Sequence, residues 1–121
     1  LEPEIIYSTG VLDSNEVQYK EYLKDNRPEV VLAVRDSMAI SFMNTAVKMG
    51  IKVPEELQVI GFQNTRYASL SNPKLTCVDT PIYEIGNVAM SKLTEEMKSE
   101  ELVAASTTIV DYKIIWRDST K

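Results

Sequence analysis

Polar side chains follow three β-prone runs of the sequence at the point where each run ends. Arg35 and Asp36 follow one run, Gln63 and Asn64 follow the next, and Ser8 follows a shorter run near the start. The carboxyl ends of parallel strands meet at one edge of an open α/β sheet, where ligands bind. Side chains of this kind offer directed hydrogen bonds to a small polar ligand. Helix caps and turns use the same residue types, so a purely structural role is the alternative.

The sequence lacks the residues on which much enzyme chemistry depends. It contains no His, which excludes Ser-His-Asp and Cys-His catalysis and His-ligated zinc. The one Cys, Cys77, lies in a β-prone run and is predicted to be buried and inert. No glycine-rich phosphate loop is present, and the carboxylates of residues 95–101 lie at a predicted solvated helix end. We therefore predict no enzyme activity, no metal site and no cofactor.

Composition and charge indicate which further classes of protein are excluded. The chain has 121 residues, 44% of them hydrophobic, which fits one domain, or part of one, with a real core. Its net charge is −5, and an acidic chain offers few of the clustered cations that nucleic-acid phosphates need. No apolar run is long enough for a membrane helix, and no secretory leader opens the chain. The first residue is Leu1, so we expect a piece of a longer protein.

The apolar pattern alternates between strands and helices along the chain. The run Val30–Val34 is continuously apolar, which is typical of a strand buried on both faces. Asp13 and Glu16 have the spacing of a capping box, Asp36 and Ser37 can cap the next helix, and Gly50 can end it. The predicted strands cover residues 4–7, 30–34, 57–61, 75–78 and 107–117, the predicted helices cover residues 14–26, 38–49 and 81–97, and residues 64–73 form a polar loop.

This order predicts an α/β fold with a mainly parallel sheet and helices on both faces. The third helix carries an apolar stripe, which includes Ile85, Val88, Leu93 and Met97, and this stripe needs some cover. Three βα units are few for a complete doubly wound sheet, which usually has five or six strands.

One stretch of the sequence carries a more specific signal. Residues 30–38 read V-V-L-A-V-R-D-S-M, and later come V-P-E-E-L, G-F-Q-N, P-K-L-T-C-V and a final W-R-D-S-T. This pattern resembles the effector-binding core of the LacI/GalR family of bacterial transcriptional regulators, over residues 4–121. The resemblance implies part of a periplasmic-binding-protein-like (type I) sensor domain. Residues 1–80 would belong to its C-terminal subdomain, 81–106 would form a helix crossing back to the N-terminal subdomain, and 107–121 would be terminal strands.

The resemblance implies an effector-sensing and dimerisation module of a cytoplasmic repressor of sugar or carbon-metabolism genes. Operator DNA would be bound by an N-terminal domain outside this chain. The implied effector-binding residues are Arg35, Asp36, Gln63, Asn64 and Tyr7. Family members usually carry Asn and Asp where this sequence has Arg35 and Gln63, and a guanidinium favours phosphate or carboxylate. The expected effector is a sugar, a sugar phosphate or another small anion. A sugar-binding receptor of a transport system, with the same fold, is the alternative.

The resemblance also implies partners for the helix at residues 81–97. Tyr83, Met90 and Val88 are the expected dimer or partner face, and a homodimer is expected. Some family members bind a seryl-phosphorylated phosphocarrier protein through basic residues on this helix, but Ser91 and Glu95 stand at those positions here. Such a partner is therefore doubtful. If the N-terminal subdomain is absent, this helix has lost its packing surface, and we predict that it packs elsewhere or exchanges with a second chain.

Overall fold

The computed structural model describes residues 2–8, 11–99 and 106–121. Four helices and four strands alternate along the chain. The helices are α1 (Leu12–Asp25), α2 (Asp36–Lys48), α3 (Arg66–Leu70) and α4 (Ile82–Lys98), and the strands are β1 (Val30–Ala33), β2 (Gln58–Phe62), β3 (Thr76–Asp79) and β4 (Lys113–Ile115).

The four strands form one sheet in the order β1-β2-β3-β4. β1, β2 and β3 are parallel, and β4 pairs antiparallel with β3. The register aligns Ala33 with Gly61 and Gly61 with Cys77, so three strands end at nearly the same level. The predicted α/β class with a mainly parallel sheet is confirmed.

The core lies between the sheet and the pair α1 and α2. On α2, the apolar residues recur every three to four positions, which places them on one face against β1 and β2. Gly50 ends this helical segment with φ +82°, a conformation that glycine adopts without strain, as predicted. The fully buried apolar side chains of this core are Leu23, Ala39, Met43, Ala46, Leu57, Val59, Ala68, Leu75 and Cys77, with Tyr19 and Phe42 in ring contact beside them.

The other side of the sheet is largely apolar and partly exposed: Val30, Leu32 and Ile114 are exposed, whereas Ile60, Phe62 and Val78 are half-buried. We define the open sheet face as Val30, Leu32, Ile60, Phe62, Val78 and Ile114. Register partners lie on the same side of a sheet, and Leu32 pairs with Ile60 while Val78 pairs with both Phe62 and Ile114. Leu32 is 60% exposed, and no helix covers this face within the described part of the chain.

Helix α4 stands apart from the core. None of its 17 described residues is buried. It follows β3 after a tight turn in which the Ile82 N–H donates to the Thr80 carbonyl oxygen at 2.8 Å, with Pro81 at φ −76° and ψ 74°. These angles are those of an inverse γ-turn. Pro81 is therefore the N-cap, and the helix begins one residue later than the predicted range 81–97.

Several predicted elements differ from the structure. Residues 4–7 form no strand, because this segment runs beside α1, where the Tyr22 hydroxyl donates to Glu4 Oε2 at 2.8 Å. The polar loop at 64–73 contains α3, which is too short to give a periodic signal. The last β-prone run narrows to Lys113–Ile115. Helix α1 begins at Leu12, so the predicted capping box is not seen, and the side chain of Asp13 lies outside the described residues.

Candidate functional site

The carboxyl edge of the sheet brings two exposed polar side chains to neighbouring strands. Arg35 comes two residues after Ala33, Gln63 comes two residues after Gly61, and Ala33 and Gly61 are register partners. Both Arg35 and Gln63 are exposed. One strand spacing is about 4.8 Å, so a small ligand at this edge can contact both side chains. The sequence-based prediction that these residues lie together is thus matched by the strand register.

Asp36 lies beneath this edge and is buried, at 1% exposure. Its Oδ2 accepts hydrogen bonds from the Thr65 backbone N–H at 2.6 Å and from the Thr65 hydroxyl at 2.8 Å. Its Oδ1 accepts from the Cys77 thiol at 3.3 Å. A buried carboxylate requires such partners, because burial without them is unfavourable. Asp36 therefore joins the ends of β1, β2 and β3, and the prediction that it caps α2 is wrong, since Arg35 holds the N-cap position.

Gly61 leaves the space that Asp36 occupies. A Cβ atom on Gly61 would lie 2.5 Å from Asp36 Oδ1 and 2.8 Å from Leu75 Cδ2. Such distances are shorter than van der Waals contact, so a larger residue at Gly61 would displace Asp36 or the β3 side. The glycine in the G-F-Q-N motif is thus required by the close approach of a carboxylate.

Asn64 is held in place by a residue near the end of the chain. Its backbone has φ +53°, in the left-handed region that Asn tolerates better than most residues. Its side-chain Oδ1 accepts a hydrogen bond from Arg117 Nη2 at 2.6 Å, while Arg117 Nη1 donates to the Leu75 carbonyl at 2.6 Å. Arg117 therefore fixes the loop that carries Gln63 and Asn64.

The Cys77 thiol is part of the same buried group. Burial raises the pKa of this thiol to about 11, and its hydrogen bond to the Asp36 carboxylate adds to the increase. A thiol with a raised pKa is protonated at neutral pH, and a protonated, buried thiol reacts slowly. The prediction that Cys77 is buried is confirmed, and its function here is to donate to Asp36 Oδ1.

Tyr7 is placed differently from the other candidate residues. Its side chain is 79% exposed, and its carbonyl oxygen accepts a hydrogen bond from Gln18 Nε2 at 3.0 Å. Because residues 4–7 join no strand, the sheet register does not bring Tyr7 to the carboxyl edge. Arg35, Asp36, Gln63 and Asn64 are brought together, and Tyr7 is not among them.

Sequence analysis missed two residues that organise the edge. Thr65 and Arg117 lie 29 and 53 residues from their partners Asp36 and Asn64, so no local pattern reveals these hydrogen bonds. The signal for Arg117 was present in the terminal R-D-S-T sequence, which resembles a family motif. In that motif Ser119 also donates to the Val59 carbonyl at 2.6 Å and accepts from the Thr76 N–H at 2.8 Å.

A cavity of about 650 Å³ lies beside α2, with α3 on one side and Glu16 of α1 on the other. Arg35, Gln63 and Asn64 do not line this cavity. The cavity lining combines hydroxyl, amide and apolar groups: Ser37, Ile40, Ser41, Asn44, Thr45, Lys48, Tyr67, Leu70, Ser71 and Asn72.

The residues predicted for a partner face lie on α4. Tyr83 is 92% exposed and Met90 is 61% exposed, and seven residues separate them, so they share one side of the helix. Val88 is half-buried and lies one turn before Lys92, whose Nζ donates to Ser106 Oγ at 2.9 Å. The three residues therefore occupy two sides of α4.

Among residues 2–8, 11–99 and 106–121, no group of three or more Cys, Asp or Glu side chains is arranged to hold a metal ion. Within the same ranges no helix has the length and apolar character needed to cross a membrane.

Comparison with known proteins gives consistent matches. Residues 3–120 match the family described as the periplasmic binding protein-like domain. Catabolite control protein A of Staphylococcus aureus (strain N315) is 40% identical over 99 residues, which is 82% of this chain and 30% of that protein. Catabolite control protein A of Priestia megaterium is 36% identical over 121 residues, which is 100% of this chain and 35% of that protein.

A solved structure supports the same relationship. The transcription regulator CcpA of Lactococcus lactis superposes with a TM-score of 0.77 at 28% identity, covering 96% of this chain and 41% of that chain. The present chain thus spans about a third of the length of the curated relatives it matches. With its open, mainly parallel sheet and a match over residues 3–120, the chain belongs to the periplasmic binding protein-like domain family, and the solved structures similar to it include a LacI-type transcription regulator of Bifidobacterium animalis.

Proposed function

We propose that this chain is the effector-sensing and dimerisation part of a LacI/GalR-type transcriptional regulator that acts by ligand-dependent allostery and not by catalysis. The observation that carries the proposal is that Arg35 and Gln63, both exposed, follow neighbouring strands at the carboxyl edge of a parallel sheet. One similar solved structure is named a transcription regulator and the curated relatives are named catabolite control protein A, which favours this function over that of a transport receptor. Operator DNA would be bound by a domain outside this acidic chain, in the cytoplasm.

The proposed ligand is a sugar, a sugar phosphate or another small anion. The Arg35 guanidinium can donate two hydrogen bonds to a phosphate or carboxylate, and the Gln63 amide can both donate and accept. Asn64 is a further proposed ligand contact, whereas Tyr7, which lies beside α1 and away from this edge, is not proposed as one. Asp36 is buried, so we propose that it affects ligand binding indirectly: its hydrogen bonds hold Thr65, and Thr65 positions the loop that carries Gln63.

The proposed mechanism requires a second half of the binding cleft. An effector that binds better to one arrangement of two subdomains shifts the equilibrium towards that arrangement, and the coupling equals this difference in affinity. The edge in this chain would supply one half of the contacts. Because an open edge encloses little of a small ligand, we expect the isolated chain to bind weakly.

The proposed dimer or partner face is on α4, around Tyr83 and Met90, with Val88 beside it. Ser91 and Glu95 supply no positive charge, and Glu95 would repel a phosphate group. A phosphoserine-bearing phosphocarrier protein is therefore a weaker candidate partner than a second copy of this chain.

A chimeric regulator provides the test. This chain would replace the segment of the Priestia megaterium protein that aligns with its 121 residues, and operator affinity would be measured with and without a panel of hexoses and hexose phosphates. We expect at least one phosphate ligand to change operator affinity. We expect Arg35→Gln to raise the required ligand concentration at least tenfold, since one charged hydrogen bond contributes about 1.5–3 kcal/mol.

Two results would contradict the proposal. A folded chimera that binds operator but responds to no ligand would contradict the proposal that this chain senses an effector. An unchanged ligand response in Arg35→Gln would contradict the assignment of the ligand site to the carboxyl edge. Lys24→Gln on α1 is the matched control, because it deletes an exposed positive charge away from the edge. Calorimetry of the isolated chain is a separate check, in which micromolar binding would show that no second half-cleft is needed.

A further inference from the structure

Arg117 joins the residue before β3 to the loop that follows β2. Its Nη1 donates to the Leu75 carbonyl oxygen at 2.6 Å, and its Nη2 donates to Asn64 Oδ1 at 2.6 Å. The donors of one guanidinium lie in a rigid plane, so the two contacts restrict the distance between their acceptors. The Arg117 side chain is half-buried, where a hydrogen bond is electrostatically stronger than in bulk water. The guanidinium is therefore a structural link between the sheet and the loop.

The backbone around Arg117 is anchored independently of that loop. The Arg117 N–H donates to Thr76 Oγ1, on β3, at 2.9 Å. Two residues later, the fully buried Ser119 donates its N–H to the Lys74 carbonyl at 2.9 Å, and its own carbonyl accepts from the Val59 N–H at 3.0 Å. Val59 belongs to β2, so this segment is bonded to both neighbouring strands. Because the guanidinium extends from a fixed backbone, it can impose a position on the loop.

Asn64 is the residue of the loop at which such a contact matters most. Its φ of +53° lies in the left-handed region, which is unfavourable for residues other than glycine, although Asn tolerates it better than most. On one side of it, the Thr65 N–H donates to the buried Asp36 Oδ2 at 2.6 Å. On the other side lies Gln63, which is exposed at the carboxyl edge. The hydrogen bond from Arg117 therefore stabilises the turn that places Gln63.

The same contact determines which way the Asn64 amide faces. An amide has an acceptor oxygen at one end and a donor nitrogen at the other, whereas a guanidinium has donors only. The oxygen of Asn64 must therefore face Arg117, and the Nδ2 group is the end that remains for another partner. A ligand oxygen at this edge would receive hydrogen bonds from Asn64 Nδ2 as well as from Arg35. Gln63, by contrast, is exposed and can present either end of its amide.

We propose that Arg117 is a positioning residue of the effector edge. It holds the left-handed turn at Asn64 and orients the Asn64 amide so that its nitrogen, and not its oxygen, is available to a ligand. Arg117 acts through Asn64 and makes no ligand contact of its own. The proposal rests on the effector function proposed above, but the effect of Arg117 on the loop can be measured in the chain without any ligand.

Amide hydrogen exchange of the full chain, without ligand, tests the effect on the loop. The reporter is the Thr65 N–H, which is bonded to Asp36. Arg117→Gln should accelerate its exchange about tenfold or more relative to the amides of α2, because a hydrogen bond from a charged donor is lost. The comparison with α2 separates a local effect from a general loss of stability. Lys74→Gln, which deletes an exposed positive charge near the start of β3, is the matched control and should change neither rate.

Variants of Asn64 show whether Arg117 acts through that residue. Asn64→Asp keeps an acceptor for the guanidinium in a residue that tolerates the left-handed region, so Thr65 exchange should stay slow. Asn64→Gly also permits the positive φ but offers no acceptor, so Thr65 exchange should accelerate. Adding Arg117→Gln to the Asn64→Gly chain should then have little further effect, as expected in a double-mutant cycle of two coupled residues. Circular dichroism checks the folding of each variant.

Inorganic phosphate is the probe for the orientation of the amide. In NMR spectra of the isotope-labelled full chain, millimolar phosphate should shift the side-chain amide signals of Asn64 and Gln63. Sodium chloride of equal ionic strength is the control and should not shift them. In Arg117→Gln, the same phosphate concentrations should produce smaller shifts of the Asn64 signal, because its amide is no longer held with the nitrogen towards the ligand.

Four results would contradict this account of the edge. Thr65 exchange that is unchanged in Arg117→Gln, or accelerated equally in α2, would show that Arg117 does not hold this loop specifically. A strong effect of Arg117→Gln in the Asn64→Gly chain would show that it acts through another residue. A phosphate response at Gln63 without one at Asn64 would show that the amide nitrogen is not available. If neither side chain responds to phosphate, the ligand site proposed above fails, and the exchange of Thr65 still decides whether Arg117 holds the loop.

Discussion

Two amphipathic helices of this chain, α1 and α4, differ in how far their apolar side chains are buried. In the body, which we define as residues 11–79 together with 113–121, Leu23 of α1 is fully buried. In the α4 arm, which we define as α4 with residues 106–112, Leu93 is 49% exposed and no described residue of α4 is buried. Both helices carry apolar residues at helical spacing, yet only α1 has a surface against which to pack. Amphipathicity thus shows that a helix needs a partner and does not show where the partner is.

The same comparison applies to the two faces of the sheet. One face buries Val59 of β2 and Cys77 of β3, whereas the open sheet face exposes Leu32 of the neighbouring strand β1. The continuous apolar run at residues 30–34 is typical of a strand covered on both sides, and here one side has cover. The body and the α4 arm therefore differ in packing, and this difference can be measured with matched substitutions.

The largest expected difference is between two leucines. Leu23→Ala should lower the free energy of unfolding by about 2–5 kcal/mol, because it creates a cavity in the core. Leu93→Ala in dilute solution should change it by less than about 0.5 kcal/mol, as for other exposed positions. Urea denaturation followed by circular dichroism measures both. Equal effects would show that α4 packs on the body.

The raised pKa of the Cys77 thiol predicts that the stability of the body depends on pH. Burial raises its pKa from 9.0 to about 11, so the folded state favours the protonated thiol. The resulting stability is complete below pH 9 and is lost as the pH rises towards 11. At 1.36 kcal/mol per pKa unit, the loss is on the order of 2–3 kcal/mol.

The matched variant for this pH dependence is Cys77→Ala. Tyrosines and lysines titrate in the same range, so the quantity to measure is the difference in unfolding free energy between the two proteins from pH 8.5 to about 10.5. The advantage of the Cys77 protein should shrink with rising pH. A difference that stays constant would contradict the buried, Asp36-bonded thiol.

Two glycines provide the next comparison. Gly61→Ala should lower stability by about 1–3 kcal/mol, because its Cβ would lie 2.5 Å from Asp36 Oδ1. Gly86→Ala in α4 meets nothing within 4 Å and should raise helix stability by about 0.5–1 kcal/mol. We expect a lower urea midpoint for the first variant. For the second variant we expect a larger helical signal and an unchanged urea midpoint. A shifted midpoint would show that α4 unfolds together with the body.

The smallest predicted difference concerns two carboxylates. Asp36→Asn replaces an acceptor of hydrogen bonds from Thr65 with an amide and should lower stability by about 1–2 kcal/mol. Glu84→Gln, in the first turn of α4, removes only a charge near the helix dipole and should cost less than about 0.5 kcal/mol. Thermal unfolding distinguishes the two. An Asp36→Asn protein as stable as Glu84→Gln would mean that Asp36 does not join the three strand ends.

The sequence predicted the parts of the fold that depend on local patterns. The parallel sheet, α2 and the stop at Gly50 follow from apolar periodicity and from the conformational freedom of glycine. The strand at residues 4–7 was wrong, because β propensity does not supply a neighbouring strand. Helix α3 was missed because five residues give no periodicity.

The candidate site was predictable in part. Arg35 and Gln63 follow strands, and the order of the strands places them together. The buried environment of Asp36 was not predictable, since it depends on Thr65 and Cys77, which are 29 and 41 residues away. The local sequence therefore predicted which polar residues lie at the edge. Only the tertiary structure shows that Arg35 and Gln63 are exposed and that Asp36 is buried.

Amide hydrogen exchange at low protein concentration tests the central difference between the body and the α4 arm most directly. Backbone amides of α2 should exchange only through global unfolding, whereas those of α4 should exchange within seconds to minutes, because an isolated helix of this length is marginally stable. Slow exchange in α2 with fast exchange in α4 is the predicted result. Equal protection of the two helices in a monomeric sample would contradict the account, because it would require α4 to be packed on the body.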